Sequence, residues 1–407
     1  MAAVTIDRLM VGGDGVGRLP DGMAVFVPRT APGDVAEIDV VERRARFARG
    51  RLRRLVTGGP GRVAPACRHY VDDRCGGCQL QHVTLETQQE AKRTFVRDAL
   101  QRIAKRPNVE PQLEPCATGW RYRSKITLAV RGGCAGFHRY DEAGEVFALE
   151  DCRIARESLM GLWHRVRAAN LPSGTTGIVL REDRDGGLHV VVEGSVAPWT
   201  PRTSAVADLS VPISWWWRPR GGAARVVAGP RTGFPALAFE QSNRIAADGI
   251  RTAVVQALGS VRGAIVWDLY GGVGDTARLL AAEGADVWSV DQDRIAVAWA
   301  ERRTPACDGS ARFMAGRVEE VLHRLPDPYA VVANPPRTGL HRGVAEHIQR
   351  WAVQHRGSAR LCYVSCDPAT LARDLARLPA LTIRTLRVVD LFPQTAHVET
   401  LAVLEAD

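Results

Sequence analysis

Val266-Trp267-Asp268-Leu269-Tyr270-Gly271-Gly272-Val273-Gly274-Asp275 is the stretch whose reading decides the fold. Residues 264–269 read as a buried strand and residues 276–283 as a helix. The glycines between them let the backbone turn sharply and pass close to a ligand. A strand running into a Gly-rich turn and then a helix is how a nucleotide-binding sheet begins. The next strand, residues 286–291, ends on Asp291, 20 residues beyond Gly271. Such sheets place a carboxylate there for ribose hydroxyls. The last glycine comes too soon for the full dinucleotide spacing. The loop therefore suits a cofactor without a pyrophosphate, S-adenosylmethionine foremost. The bland alternative, a tight structural turn, gives Asp291 nothing to do.

Strand and helix patterns alternate on either side of this loop. Helices are expected at 245–258, 295–303 and 344–355, with strands at 329–334, 359–365, 384–391 and 397–405. The alternation implies a parallel, doubly wound α/β sheet over residues 239–407. In such sheets ligands sit at the carboxyl ends of the strands. Two further loops fall there: Asn334-Pro335-Pro336-Arg337-Thr338-Gly339 and Ser365-Cys366-Asp367-Pro368. Asn-Pro-Pro followed by an aromatic would point to methylation of an exocyclic base amine. Here Arg337 follows, and a cysteine stands at the next strand end. That combination suggests different chemistry. A thiolate adding to carbon 6 of uracil makes carbon 5 nucleophilic enough to take a methyl group. A base must then remove the carbon 5 proton so that the thiol can leave. Cys362, inside the same strand, reads as structural.

Upstream the chain changes character. Residues 1–58 show short strands (4–6, 23–27, 35–41) separated by Gly and Asp turns, a small β-barrel pattern. Seven arginines follow between Arg43 and Arg54, and such a flank on such a barrel is a common nucleic-acid platform. Residues 59–238 form a strand-rich central region, with a hairpin around Asp185-Gly186-Gly187 and a helix at 86–105 whose apolar positions recur every four residues. That helix is a candidate to pack on the C-terminal domain. Trp215-Trp216-Trp217 reads as a packed aromatic cluster. Cys67, Cys75 and Cys78 lie within twelve residues, with Cys152 further on. Four thiolates can hold a structural zinc or a 4Fe–4S cluster, and spacing alone leaves both open.

These motifs together resemble the RNA uracil-5-methyltransferases, and within them the branch with an N-terminal TRAM domain and an iron–sulfur cluster that modifies 23S ribosomal RNA. The resemblance spans nearly the whole chain. Gly12-Gly13-x-Gly15, Val25-Phe26-Val27-Pro28 and Pro32-Gly33-Asp34 resemble the TRAM barrel. Cys75-Gly76-Gly77-Cys78-Gln79-Leu80-Gln81-His82 resembles the cluster segment, and Phe239-x-Gln241-x-Asn243 the entry to the methyltransferase domain. Ser365-Cys366-Asp367-Pro368-Ala369-Thr370-Leu371-Ala372-Arg373-Asp374 and His397-Val398-Glu399-Thr400 complete the set.

The resemblance implies a TRAM/OB-like barrel, a central iron–sulfur domain and a C-terminal Rossmann-like class I methyltransferase. It implies Cys366 as nucleophile and Glu399 as the base at carbon 5. Gln241, Tyr270, Asp275, Asp291 and Asn334 match cofactor-contacting positions. Cys67, Cys75, Cys78 and Cys152 match ligands of a 4Fe–4S cluster. Two positions depart from the family pattern: Asp275 stands where Asn is common, and Asn334 where Asp is common. An Asn amide oxygen still accepts a hydrogen bond from the ring N–H of uracil.

Composition agrees. The 407 residues carry a formal net charge of +9, and only three of the 54 basic residues are lysines. Arginine is the residue of phosphate and base contacts, so an RNA partner is expected. At 45% hydrophobic and 24% charged the chain is an ordinary globular protein, neither disordered nor fibrous. No apolar run reaches membrane-spanning length and the first residues lack a signal core, so a cytoplasmic location is expected. One chain contains every expected part, so a monomer is expected. The leading reading is S-adenosylmethionine-dependent methylation of uridine carbon 5, in 23S rRNA before tRNA. An exocyclic-amine methyltransferase leaves Cys366 and Glu399 unused, and a non-catalytic RNA-binding protein leaves the whole strand-end constellation unused.

Overall fold

The computed structural model describes residues 2–167 and 171–407. The first five strands are β1 (Ala2–Leu9), β2 (Gly15–Arg18), β3 (Ala24–Val27), β4 (Val35–Arg43) and β5 (Phe47–Thr57). They close into a barrel in the order β1-β2-β3-β5-β4. Alternation along each strand turns Val4, Ile6, Val25, Val27 and Ile38 inward. The outward arginines of β5 lie across from acidic residues of β4. Arg49 faces Glu42 at 3.4 Å and Arg54 faces Glu37 at 2.5 Å, so part of the basic flank is internally paired.

A short helix α1 (Arg68–Val71) precedes α2 (Leu85–Ala99), which Thr84 caps by accepting a hydrogen bond from the Thr87 amide at 3.3 Å. The last turn, Leu100–Ala104, loosens into a π-helix. Strand β6 (Gln112–Glu114) follows. The central sheet contains β7 (Lys125–Arg131), β8 (Cys134–His138) and β9 (Val146–Ala148), then helix α3 (Glu157–Val166), then β10 (Gly177–Glu182), β11 (Leu188–Glu193), β12 (Ile213–Arg218) and β13 (Arg225–Ala228). Its order is β13-β12-β11-β10-β7-β8-β9. The strand period of two explains the three tryptophans. Trp215 and Trp217 enter the core under α3, while Trp216 packs on the opposite face beside Phe234 and Trp299.

The C-terminal region alternates α4 (Arg244–Leu258), β14 (Ile265–Leu269), α5 (Asp275–Ala282), β15 (Asp286–Asp291), α6 (Arg294–Arg303), β16 (Ser310–Ala315), α7 (Val318–Val321), β17 (Ala330–Ala333), α8 (Arg342–Gln354), β18 (Arg360–Ser365) and α9 (Pro368–Ala376). It ends with β19 (Leu381–Val389) and β20 (Glu399–Ala406). The sheet order is β16-β15-β14-β17-β18-β20-β19-β6. The order turns back on itself at β14, the place where such sheets bind ligands.

Two features correct the sequence reading of this sheet. It is mixed rather than parallel throughout: β20 runs antiparallel to both β18 and β19. No helix joins β19 to β20, and strands joined without a crossover must pair antiparallel. The sheet also gains an edge strand from upstream, because β6 pairs with β19. Helix α2 shares its core as well: Phe95, Val96 and Leu100 pack with Leu371 and Leu375 of α9.

An ion pair fixes this attachment. Lys92 of α2 and Asp390, just after β19, meet at 2.6 Å with both side chains fully buried. Lys92 also donates to the Phe392 carbonyl at 2.9 Å, and Gln89 donates to the second Asp390 oxygen at 3.1 Å. With two ammonium donors and both carboxylate oxygens engaged, the pair tolerates burial, but neither partner tolerates being alone. Lys92→Met should therefore cost about 3–5 kcal/mol in a denaturant melt. Adding Asp390→Asn should recover much of that loss, because the uncompensated charge is then gone.

Candidate active site

The loop after β14 is shaped by positions where side chains do not fit. A Cβ on Gly271 would lie 2.2 Å from Ser289 Oγ and 2.5 Å from Asp268 Oδ2. Gly274, at φ +78°, would meet the Phe313 ring at 2.6 Å. Tyr270 itself takes a left-handed φ of 63° at the strand end. Asp268 lies beneath the turn and accepts a hydrogen bond from Ser289 Oγ at 3.0 Å. Burial pushes its carboxyl up to about 6. Asp291, at the end of β15, accepts from the Gly272 amide at 2.9 Å and the Asp293 amide at 2.8 Å. Its carboxylate thus holds the glycine loop while its edge faces the cavity.

The second half of the site comes from the antiparallel pairing of β18 with β20. The ladder places Ser365 opposite Thr400, and Thr400 Oγ1 donates to the Ser365 carbonyl at 3.0 Å. The next step outward in that register sets Cys366 across from Glu399. Glu399 is only 3% exposed. Burial pushes its carboxyl up to about 7, against a hydrogen bond from Gln241 and the charge of Arg337. Cys366 is half-buried, and burial raises its thiol. The nearby Glu399 raises it further, and Arg337 opposes both. The Asp367 side chain caps α9 by accepting from the Thr370 amide at 2.8 Å, with Pro368 in the first turn. Fully buried Asp374 accepts from Tyr363 Oη at 2.8 Å and the Leu340 amide at 2.7 Å. It thereby ties the loop after β17 to α9.

These parts open on one cavity of about 1340 Å³. Gln241, Tyr270, Asp291, Asn334, Cys366 and Glu399 all line it. Asp275 does not. Its carboxylate is turned into a cluster of arginines, with Arg278 against one oxygen and Arg184 (3.0 Å) and Arg251 (3.7 Å) at the other. Asp268 and Arg337 are participants that the sequence reading passed over. Asp268 stands inside the quoted loop motif, so its strand-end position was the available signal. Nothing in the sequence tells that the Arg337 charge falls beside both Cys366 and Glu399.

Cys67, Cys75, Cys78 and Cys152 line the other end of the same cavity. None is in a disulfide. Burial pushes the Cys75 thiol up to about 12 and raises Cys78 and Cys152, and the charges of the neighbouring thiols add to this. Among the described residues no three His, Cys, Asp or Glu side chains stand close enough to hold a single metal ion. Nor, among them, is any helix long and apolar enough to cross a membrane.

The TRAM domain family matches residues 3–52, and the tRNA (Uracil-5-)-methyltransferase family matches residues 281–407. A Streptomyces coelicolor protein described as an uncharacterized RNA methyltransferase is 31% identical, over 99% of this chain and 92% of its own. The 23S rRNA (uracil(1939)-C(5))-methyltransferase RlmD of Halomonas elongata is 30% identical, over 99% of this chain and 89% of its own. Among solved structures, the Pyrococcus abyssi tRNA (uracil-54, C5)-methyltransferase in complex with S-adenosyl-L-homocysteine superposes with a TM-score of 0.77 at 24% identity. That match covers 98% of this chain and 100% of the other. The likeness in sequence runs from the barrel through the strand-end cysteine to the last strand, and the chain belongs to the RNA uracil-5-methyltransferases, enzymes that take their methyl group from S-adenosylmethionine.

Proposed function

We propose that this enzyme methylates carbon 5 of a uridine in 23S rRNA, with Cys366 as nucleophile and Glu399 as base. The observation that carries the mechanism is the β18–β20 register, which sets thiol and carboxyl side by side on the cavity that the glycine loop also faces. The 23S assignment is supported by the Halomonas relative and by the N-terminal barrel. The Pyrococcus enzyme, named for tRNA, supports a second reading with tRNA as substrate.

In the proposed reaction Cys366 loses its thiol proton to solvent, and the thiolate Sγ adds to carbon 6 of a uridine flipped out of its stack, moving the carbon 5–carbon 6 π electrons onto carbon 5. Carbon 5 then carries the electron density that takes up the methyl group. S-adenosylmethionine, when bound, supplies that methyl as an electrophile. Glu399 removes the carbon 5 proton, the carbon 5–carbon 6 double bond re-forms, and the bond to Cys366 breaks. Asp291 suits the ribose hydroxyls of the cofactor, Tyr270 its adenosine, and Gln241 and Asn334 the junction with the target base. Asp275, which opens α5 just after the glycine loop, is proposed to contact the cofactor from among the arginines that surround its carboxylate.

The four cysteines fit a 4Fe–4S cluster. A single tetrahedral zinc draws its sulfurs to about 3.8 Å from one another, whereas cluster ligands stand further apart around a larger body. The four cysteines line one cavity, which supports a shared site for them. There the cluster would anchor the chain structurally. Protein purified without oxygen should contain about four irons per chain, falling sharply in Cys152→Ser. Stoichiometric zinc without iron would reject the assignment.

The decisive assay uses RNA with 5-tritiated uridine. The wild type should release tritium, Cys366→Ala should release none and form no adduct, and Glu399→Gln should accumulate a methylated enzyme–RNA complex that survives denaturing electrophoresis. A folded Glu399→Gln enzyme with normal turnover rejects the base assignment. Mapping 5-methyluridine in a deletion strain distinguishes 23S rRNA from tRNA.

The pH dependence follows from the buried carboxyl. Only ionised Glu399 accepts a proton, so turnover should rise through pH about 7. Stability runs the other way. The folded value of about 7 lies above the ordinary 4.5, so stability is fully present below 4.5 and is lost as the pH rises through 7. Glu399→Gln should melt higher than wild type at pH 8, and the advantage should vanish near pH 4.

A further inference from the structure

Glu399 begins β20, and the segment that delivers it, residues 390–398, forms no regular structure. A carboxylate that must reach one carbon atom needs its approach held from outside. The hydrogen bonds show what holds it. Both the Gln79 and Leu80 amides donate to the Gln394 carbonyl, at 3.2 and 3.0 Å. Gln79 Oε1 accepts from the Ala396 amide at 3.2 Å, and Gln79 Nε2 donates to the Gly76 carbonyl at 2.8 Å. One side chain therefore links the turn between Cys75 and Cys78 to a backbone amide three residues before Glu399. Gln88 of α2 closes the other side. Its Oε1 accepts from the Gln394 amide at 2.8 Å, and its Nε2 donates to Gln394 Oε1 at 3.1 Å. Gln394 is held at a φ of 71°, unusual for a side chain other than glycine, so its conformation depends on these partners.

The barrel reaches the same point. Gly13, in the turn after β1, has a φ of 92°. A Cβ there would lie 2.7 Å from Gln79 Cβ and 3.2 Å from Ala396 Cβ. Barrel, cysteine segment and base-bearing loop thus meet around one glutamine.

We propose that Gln79 is a positioning residue for Glu399, transmitting the geometry of the Cys75–Cys78 turn to the loop that aims the base. The proposal rests on the reading of Glu399 as the carbon 5 base. It predicts a defect confined to the step that Glu399 performs. Misplacing a reacting group by about 1 Å can cost ~100-fold in rate, and a displaced loop should cost a part of that.

The test uses the full-length protein with the metal content of the parent. Gln79→Leu keeps the volume and removes both side-chain hydrogen bonds. It should lower kcat about tenfold, leave KM for RNA and affinity for S-adenosylmethionine unchanged, and accumulate the methylated covalent adduct. Gln79→Glu retains the acceptor for the Ala396 amide but loses the donor to the Gly76 carbonyl, so it should lower kcat less than Gln79→Leu and still show adduct; parent turnover without adduct overturns the link to the turn. Normal turnover in Gln79→Leu overturns the proposal, as does lost activity without adduct. Should Gln79→Leu fail to fold, Gln79→Met decides: it also removes both side-chain hydrogen bonds, and its flexible side chain adapts to the same space. Adduct in that variant supports the proposal, and its absence overturns it. Glu399→Gln run in parallel separates the two claims. If it forms no adduct, the base assignment fails; if it forms adduct and the clamp variants do not, only the clamp fails.

Discussion

The antiparallel seating of β20 between β18 and β19 is the constraint on which the site depends. A sheet extended only by parallel crossovers would bring every strand to the rim at its carboxyl end, and each would end in a loop. Inserting one reversed strand brings an amino-terminal end to that rim instead. The first residue of β20 can then stand beside the last residues of β18. That is how two groups 33 positions apart in sequence become cross-strand neighbours whose spacing is set by the ladder. A one-residue slip would turn Glu399 to the other face and leave Cys366 alone. The buried side chains of β20, including Leu401, Ala402 and Leu404, make such a slip costly. The core that stabilises the sheet is therefore also what fixes Cys366 beside Glu399.

The electrostatics of that pair follow from the same burial. Low dielectric disfavours charge on both groups, so carboxyl and thiol are both driven toward their neutral forms. Each also disfavours ionisation of the other. Arg337 works against this from the mouth of the cavity, because its charge favours either anion. In the proposed sequence of events the two groups act at different times, thiol first and carboxylate second, so they need not be anionic together. One arginine can serve both. The arrangement costs stability at neutral pH and returns a carboxylate poised near the pH at which it would act.

Much of this was legible from residue patterns, and the failures have identifiable causes. The glycine loop, Asp291 and the strand-end cysteine were readable because turn chemistry and strand endings are local properties. The direction of β20 was not read from residues 397–405, since a buried strand is apolar whichever way it runs. Strand β16 was passed over because Arg312 and its neighbours leave it half-exposed, without a buried strand's apolar run. The addition of β6 and α2 to the C-terminal core depends on Asp390 finding Lys92 almost 300 residues away, which no window on the sequence contains. Asp275 shows another effect of a distant partner. A position matched by motif lies next to the glycine loop, yet Arg184 from the central region reaches across and turns its carboxylate away from the cavity.

That reach across regions is general in this molecule. Lys92 and Gln88 of α2, Tyr122 before the central sheet, and Gln79 of the cysteine segment all bond to residues 390–396. The methyltransferase sheet leaves this loop with little structure of its own, and three other parts of the chain supply what it lacks. A segment held by so many separate parts has no independent stability, so the order of the base-bearing loop reports on the assembly of the whole protein. The cavity has the same composite character. At about 1340 Å³ it exceeds the ~300–1,000 Å³ typical of small-molecule sites. It runs from the glycine loop to the cysteine wall without a partition. The cysteine segment, remote in sequence from the glycine loop, is thus part of the wall of the same cavity.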